Sequence, residues 1–203
     1  MLDIVSTAKR LGGWADLEAL PEGSRAEVID GALVVPPRPD PVHAVVQTGV
    51  TFAIGGPFEK LHGKGGPGGW WILPEVNVLL AGDQIVHPDV AGWRRERLPH
   101  PGHLRPIEVR PDWVCEILSP SNARHDRVTK RRLCAAHGIP HYWLIDPESR
   151  TLEVLTLDGG AWREVGVFSD GDRLGLPPFD VVVLDVEGLL PPLDFAETPQ
   201  APG

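Results

Sequence analysis

Cysteine is scarce: Cys115 and Cys134 are the only two in 203 residues, and both lie in apolar surroundings rather than in the spaced pattern of a secreted disulfide framework. The chain does not open with a basic start followed by an apolar stretch, and it contains no run of about 20 apolar residues. These absences predict neither a secretory leader nor a membrane span, and they make the cytoplasm the expected compartment. Basic charge is also in deficit. Nineteen Lys and Arg against 28 Asp and Glu leave a formal charge of −9, which argues against a general nucleic-acid coat. The deficit is uneven, however. Residues 91–140 carry a net +5 and the rest of the chain −14, so the middle could still meet a polyanion.

What is present suits a globular protein. A hydrophobic content of 42% with seven Trp is enough to bury a core, and 22 Pro and 23 Gly call for many short elements joined by tight turns. The length predicts a single domain over residues 1–203, with an ordered core from about 14 to 190 and a frayed tail over 191–203.

Residues 13–20 have short helical periodicity and stop at Pro21. Asp30-Gly31 between Glu27-Val28-Ile29 and Ala32-Leu33-Val34-Val35 predicts a two-residue hairpin. Apolar positions including Val42, Val45, Val46, Val50 and Phe58 predict a long helix from Pro41 to about His62, followed by a Gly-rich connector over 63–69. Runs 70–80 and 85–91 read as a second hairpin, and residues 93–111 as a long loop. Trp113-Val114-Cys115-Glu116-Ile117-Leu118 reads as a strand buried on both faces. A helix capped within 119–122 and stopped at Gly138 then leads to a strand over 141–145. Strands over 151–157, 161–168 and 180–186 complete an α/β or α+β domain with a mixed sheet, flanking helices and antiparallel hairpins at its edges.

An ionisable group inside such a strand is costly unless it is paired or bound to a cation, and Glu116 is that group. Asp112 lies four residues away on the same strand, about 13 Å at about 3.3 Å per residue, too far to share an ion with it easily. Asp89, ending a different strand, can meet Glu116 if the two strands are neighbours. Two converging carboxylates suit a hard cation such as Mg²⁺ or Mn²⁺. Lys130, on the helix leaving the Glu116 strand, could supply an ammonium, although its Arg-rich surroundings would also suit a solvated lysine. His43 and Gln47 share a helix face at i, i+4, and His87 shares a strand face with Asp89. Cys134, His137 and His141 have zinc-like spacing without an evident fourth ligand. Trp70 or Trp93 could stack on a base if exposed.

The run Pro111–Ser121, then Asp126, Lys130, Gly138-Ile139-Pro140 and Tyr142–Pro147, preceded by Glu27–Gly31, His43 and Pro88-Asp89-Val90, resembles the Uma family of putative restriction endonucleases, within the PD-(D/E)XK nuclease superfamily. The resemblance spans about residues 14–190. It implies a restriction-endonuclease-like fold and Mg²⁺-dependent phosphodiester hydrolysis in DNA, with Asp89 and Glu116 as metal ligands and Lys130 as the third catalytic residue. It also implies Glu27 and His43 at or behind the metal, and a homodimer. The superfamily's common lysine position is filled here by Leu118, whereas the family's helix lysine corresponds to Lys130; a tyrosine that often follows four residues later is here Cys134. Two other classes are compatible with the residues: a non-cleaving nucleic-acid-binding or regulatory module that keeps the fold, and a structural protein whose acids are only ion-paired.

Overall fold

A computed structural model describes residues 12–21, 23–36, 39–59, 66–120, 122–192 and 195. Its frame is a six-stranded mixed sheet ordered β10-β9-β8-β7-β6-β3: β3 (Trp70–Pro74), β6 (Val90–Arg94), β7 (Trp113–Ile117), β8 (His141–Asp146), β9 (Thr151–Asp158) and β10 (Ala161–Ser169). The one parallel pair is β7 with β8, joined by the strand-helix-strand crossover; the other pairings are antiparallel. A four-stranded sheet ordered β2-β1-β5-β4 joins β1 (Glu27–Ile29), β2 (Ala32–Val34), β4 (Val78–Leu80) and β5 (Gln84–Val86). A small pair, β11 (Arg173–Gly175) with β12 (Val183–Asp185), follows.

Alternation along β7 explains how it is buried throughout. Trp113, Cys115 and Ile117 face one core, while Val114 and the following Leu118 face the other. The first core is closed by α2 (Pro41–Phe58), the helix that follows the short α1 (Trp14–Glu18), and by the C-terminal segment: Val46, Val50, Ile54 and Phe58 pack with Trp113, Trp143 and Phe179. The buried stripe of α2 runs His43, Val46, Val50, Ile54, Phe58, so Val42 and Val45 lie on its flank rather than in its centre. Asp40 caps α2 by accepting the His43 N–H at 2.8 Å, and Pro41 occupies the first turn, where no amide partner is needed. The expected extension of α2 to residue 62 falls outside the described residues, as do 63–65 of the Gly-rich connector and most of the tail from 191. The second core lies between the two sheets and α3 (Arg131–Ala136), with Trp93, Tyr142 and Leu144 meeting Val78, Val86 and Leu133.

Two expectations need correction. The runs 70–80 and 85–91 form a hairpin, but each breaks and changes sheet: β4 pairs with β5, then β3 with β6, and the breaks fall at 75–77 and 87–89. Glu75 at φ +51 bends one strand, and Pro88, lacking an N–H, interrupts the other. The crossover helix is also not α-helical throughout, because His125–Lys130 is a π-helical turn that passes into α3. As expected, Gly138 ends α3 at φ +70, with the Ile139 N–H donating to the Cys134 carbonyl. Asp30 and Gly31 both have positive φ, as a tight Asp-Gly hairpin demands. Among the described residues, no helix is long and apolar enough to cross a membrane.

Candidate active site

The strand breaks and the π turn converge on one buried cluster. In the β6–β7 ladder Val90 stands opposite Cys115, which sets Asp89 against Glu116. The Asp89 N–H donates to Glu116 Oε2 at 3.3 Å, and the Ile117 N–H donates to Asp89 Oδ2 at 2.8 Å. Glu116 points to the α3 side of the sheet, where Lys130 Nζ lies 2.7 Å from its Oε1, 3.1 Å from Glu27 Oε1 and 3.6 Å from Asp126 Oδ1. Lys130 is 4% exposed, so it is not the solvated lysine that its neighbours Arg131 and Arg132 suggest. The π turn buries Asp126 and Lys130 together, and inserted turns of this kind occur frequently at functional sites.

Glu27 lies beneath the lysine. Its Oε1 accepts the His87 N–H at 2.8 Å and its Oε2 meets His125 Nε2 at 2.8 Å. His43 approaches Asp89 Oδ1 at 3.1 Å, and Gln47 donates to the Asp89 carbonyl at 2.8 Å and to Glu75 at 3.1 Å. The helix face carrying His43 and Gln47 is thus turned toward the acids. His87 instead turns its ring to Asn77 at 2.8 Å. Asp112 is held by Arg97 and by the Arg94 N–H at 2.9 Å, apart from the cluster.

Sequence reading missed two partners, Arg25 and His125, and left a third, Asp126, without a role. Arg25 places Nη2 2.6 Å from Asp89 Oδ1 and 3.4 Å from Glu75, yet it stands just before a hairpin with no motif around it. His125 has no signal of its own either. Asp126 occurs in the family-like run, and its spacing of four from Lys130 was the available clue. Trp70 and Trp93 are buried, at 3% and 0% exposed, so neither offers a face to a base. His137 is engaged by the carbonyls of Leu133 and Ala81, and no zinc set forms with Cys134 and His141. Much of the basic middle is taken up in ion pairs, with Arg127 and Arg131 on Glu153 and Arg132 on Asp30.

Four buried carboxyl groups, Glu27, Asp89, Glu116 and Asp126, surround the fixed cations Lys130 and Arg25. Burial pushes the Glu116 carboxyl well up; Lys130 opposes this, while Asp89, Asp126 and Glu27 add to it. Burial acts in the same direction on Asp89, but its bond to His43, the Lys130 charge and the Ile117 N–H outweigh it and hold this group at about 2. Glu27 is likewise held at about 2, its burial outweighed by Lys130 and His125. The four acids overcome burial at Lys130 and raise its pKa, so the ammonium stays charged. Glu116 Oε1 has no partner in hydrogen-bond alignment, despite its ion contact with Lys130. The β6–β7 ladder brings Asp89 and Glu116 side by side. Among the described residues, no group of three or more His, Cys, Asp or Glu side chains is arranged to hold a metal ion.

The fold has a solved counterpart: a putative nuclease belonging to DUF820 from Anabaena variabilis, 25% identical, matches with a TM-score of 0.69 over 88% of this chain and 97% of that one. A cryoEM structure of the DrdV-DNA complex overlaps partially, with a TM-score of 0.32 at 18% identity over 51% of this chain and 8% of that one. No curated protein matches. The profile of a family described as "Putative restriction endonuclease" covers residues 14–187, and the chain belongs to that family, Uma2.

Proposed function

We propose that this protein is a metal-dependent endonuclease that hydrolyses phosphodiester bonds in DNA, with Asp89, Glu116 and Lys130 at its centre. The observation that carries this reading is the placement of a buried ammonium, Lys130, against a carboxylate pair drawn from two neighbouring strands. Family membership and the nuclease-fold neighbour support it.

The donor set fits Mg²⁺ or Mn²⁺. Such ions are held by one or two carboxylates, keep several waters and take further oxygens from phosphate, so no closed protein cage is required. The unaligned Oε1 of Glu116 and the excess of buried acid over fixed cations favour added positive charge at this point. When bound, the ion would activate water and neutralise charge on the phosphate. The chain's own residues do the rest. His43 and Gln47 fix Asp89, while Glu27, tied to His125 and the His87 N–H, fixes Lys130. Lys130 remains protonated and can orient the attacking water or stabilise the developing oxyanion. Water adds to phosphorus and gives up a proton to solvent, while the bond to the leaving oxygen breaks and that oxygen takes up a proton.

The test is cleavage of duplex and single-stranded DNA by purified protein with Mg²⁺ or Mn²⁺, against a chelated control, at low and high salt. Cutting that falls at least a hundredfold in Asp89→Ala and Lys130→Ala is the expected result. No cutting under any of these conditions overturns the proposal. A non-cleaving DNA-binding or regulatory module is the alternative, favoured by the charge of −9 and by Arg25, which neutralises Asp89 from within. Equal activity in wild type and Asp89→Ala would point to a contaminant and to that alternative.

A further inference from the structure

Beside the acidic cluster, the 23–25 segment, the 75–77 bend and the 102–105 loop enclose a cavity of about 450 Å³. Arg25 forms part of its wall and also touches Asp89 at 2.6 Å, so the cavity adjoins the carboxylate site directly. Its described lining includes two guanidinium groups, Arg25 and Arg105, with His87 and His103, against one acid, Glu75. That acid is already engaged, by Arg25 at 3.4 Å and Gln47 at 3.1 Å. Arg25 is itself balanced by Asp89 at 2.6 Å, so Arg105 is the guanidinium of this lining left for an incoming anion among the described residues. Two buried nitrogens of lining residues, Arg25 Nε and His87 Nε2, have no hydrogen-bond partner among the described residues, although buried polar atoms are normally paired. Arg105 is exposed and makes no ion pair among the described residues.

We propose that this cavity is a phosphate subsite, receiving a phosphodiester of the bound strand that neighbours the one held at Asp89, Glu116 and Lys130. Guanidinium forks match phosphate oxygens in pairs, and Arg25 joins the two places because it reaches both. That the phosphate belongs to a DNA strand rests on the nuclease reading; binding of an anion in the cavity does not.

The test is equilibrium binding of a short DNA duplex, with divalent cations chelated, across a range of salt concentrations. Arg105→Ala should weaken binding several-fold and reduce the log–log salt slope by about 0.9, the signature of one lost phosphate contact, while Arg105→Lys keeps the slope. An unchanged slope in Arg105→Ala overturns the subsite, even if the wild type cuts DNA. A changed slope in a protein that cuts nothing with Mg²⁺ or Mn²⁺ leaves the subsite standing and removes the nuclease reading. Calorimetry with inorganic phosphate is run in parallel. Phosphate binding that depends on Arg105, with an unchanged duplex slope, would make this a free-phosphate site and overturn its assignment to a strand.

Discussion

Glu116 is the residue whose surroundings suit it least. It is 1% exposed, faces Asp89, Asp126 and Glu27 as neighbouring acids, and has Lys130 as its main compensation. Replacing it with Gln removes the like-charge repulsion while preserving shape. Glu116→Gln should therefore melt in chelator no lower than wild type, yet lack the rise in melting temperature with Mn²⁺ that the proposed function predicts for wild type; a binding ion at a hundred times its Kd is worth about 2.7 kcal/mol. Thermal melts with and without Mn²⁺ read both effects, and a Gln variant that still responds to Mn²⁺ would remove Glu116 from the ligand set. Glu27 makes a separate prediction. Its folded pKa of about 2 lies below the ordinary 4.5, so its contribution to stability is complete above pH 4.5 and is lost as pH falls toward 2. Denaturant midpoints measured over that range should fall less steeply in Glu27→Gln than in wild type.

Among the elements, those whose signal is local could be read from sequence. The Asp30-Gly31 hairpin, the doubly buried β7 and the Gly138 stop each follow from a few adjacent residues. The break of both hairpin strands at 75–77 and 87–89 could not be read in this way, because the apolar runs continue through it and only tertiary packing decides which sheet each half joins. The π turn was equally hidden, since composition does not separate it from an α-helix. The site itself was legible in its carboxylates, because Glu116 interrupts an apolar strand. Arg25 was not, because it reaches Asp89 across 64 residues of chain. Gly138 offers a test at this scale. A Cβ there would meet Arg110 Nη1 at 2.8 Å and would sit at φ +70. Gly138→Ala should cost about 1 to 3 kcal/mol by chemical denaturation, and an unchanged midpoint would show that the end of α3 relaxes freely.

At the level of the whole molecule, two sheets share one hairpin. Asp89 belongs to the link between them, while Glu116 belongs wholly to the six-stranded sheet. We propose a homodimer in solution, as the family resemblance implies and as cutting both strands of a duplex would favour; sedimentation of the full chain at micromolar concentration would show a single species of twice 22.1 kDa, and a 22.1 kDa species would refute it. The shared hairpin has a consequence for heat. The four-stranded sheet has edge strands of three residues each, so it should loosen more readily than the six-stranded sheet below the global transition. If it tilts, the tether carrying Asp89 slackens and Glu27, which fixes Lys130, moves with it, while Glu116 keeps its place. Warming should therefore disable the proposed cleavage some degrees before the protein unfolds, leaving a folded but silent protein that recovers on cooling.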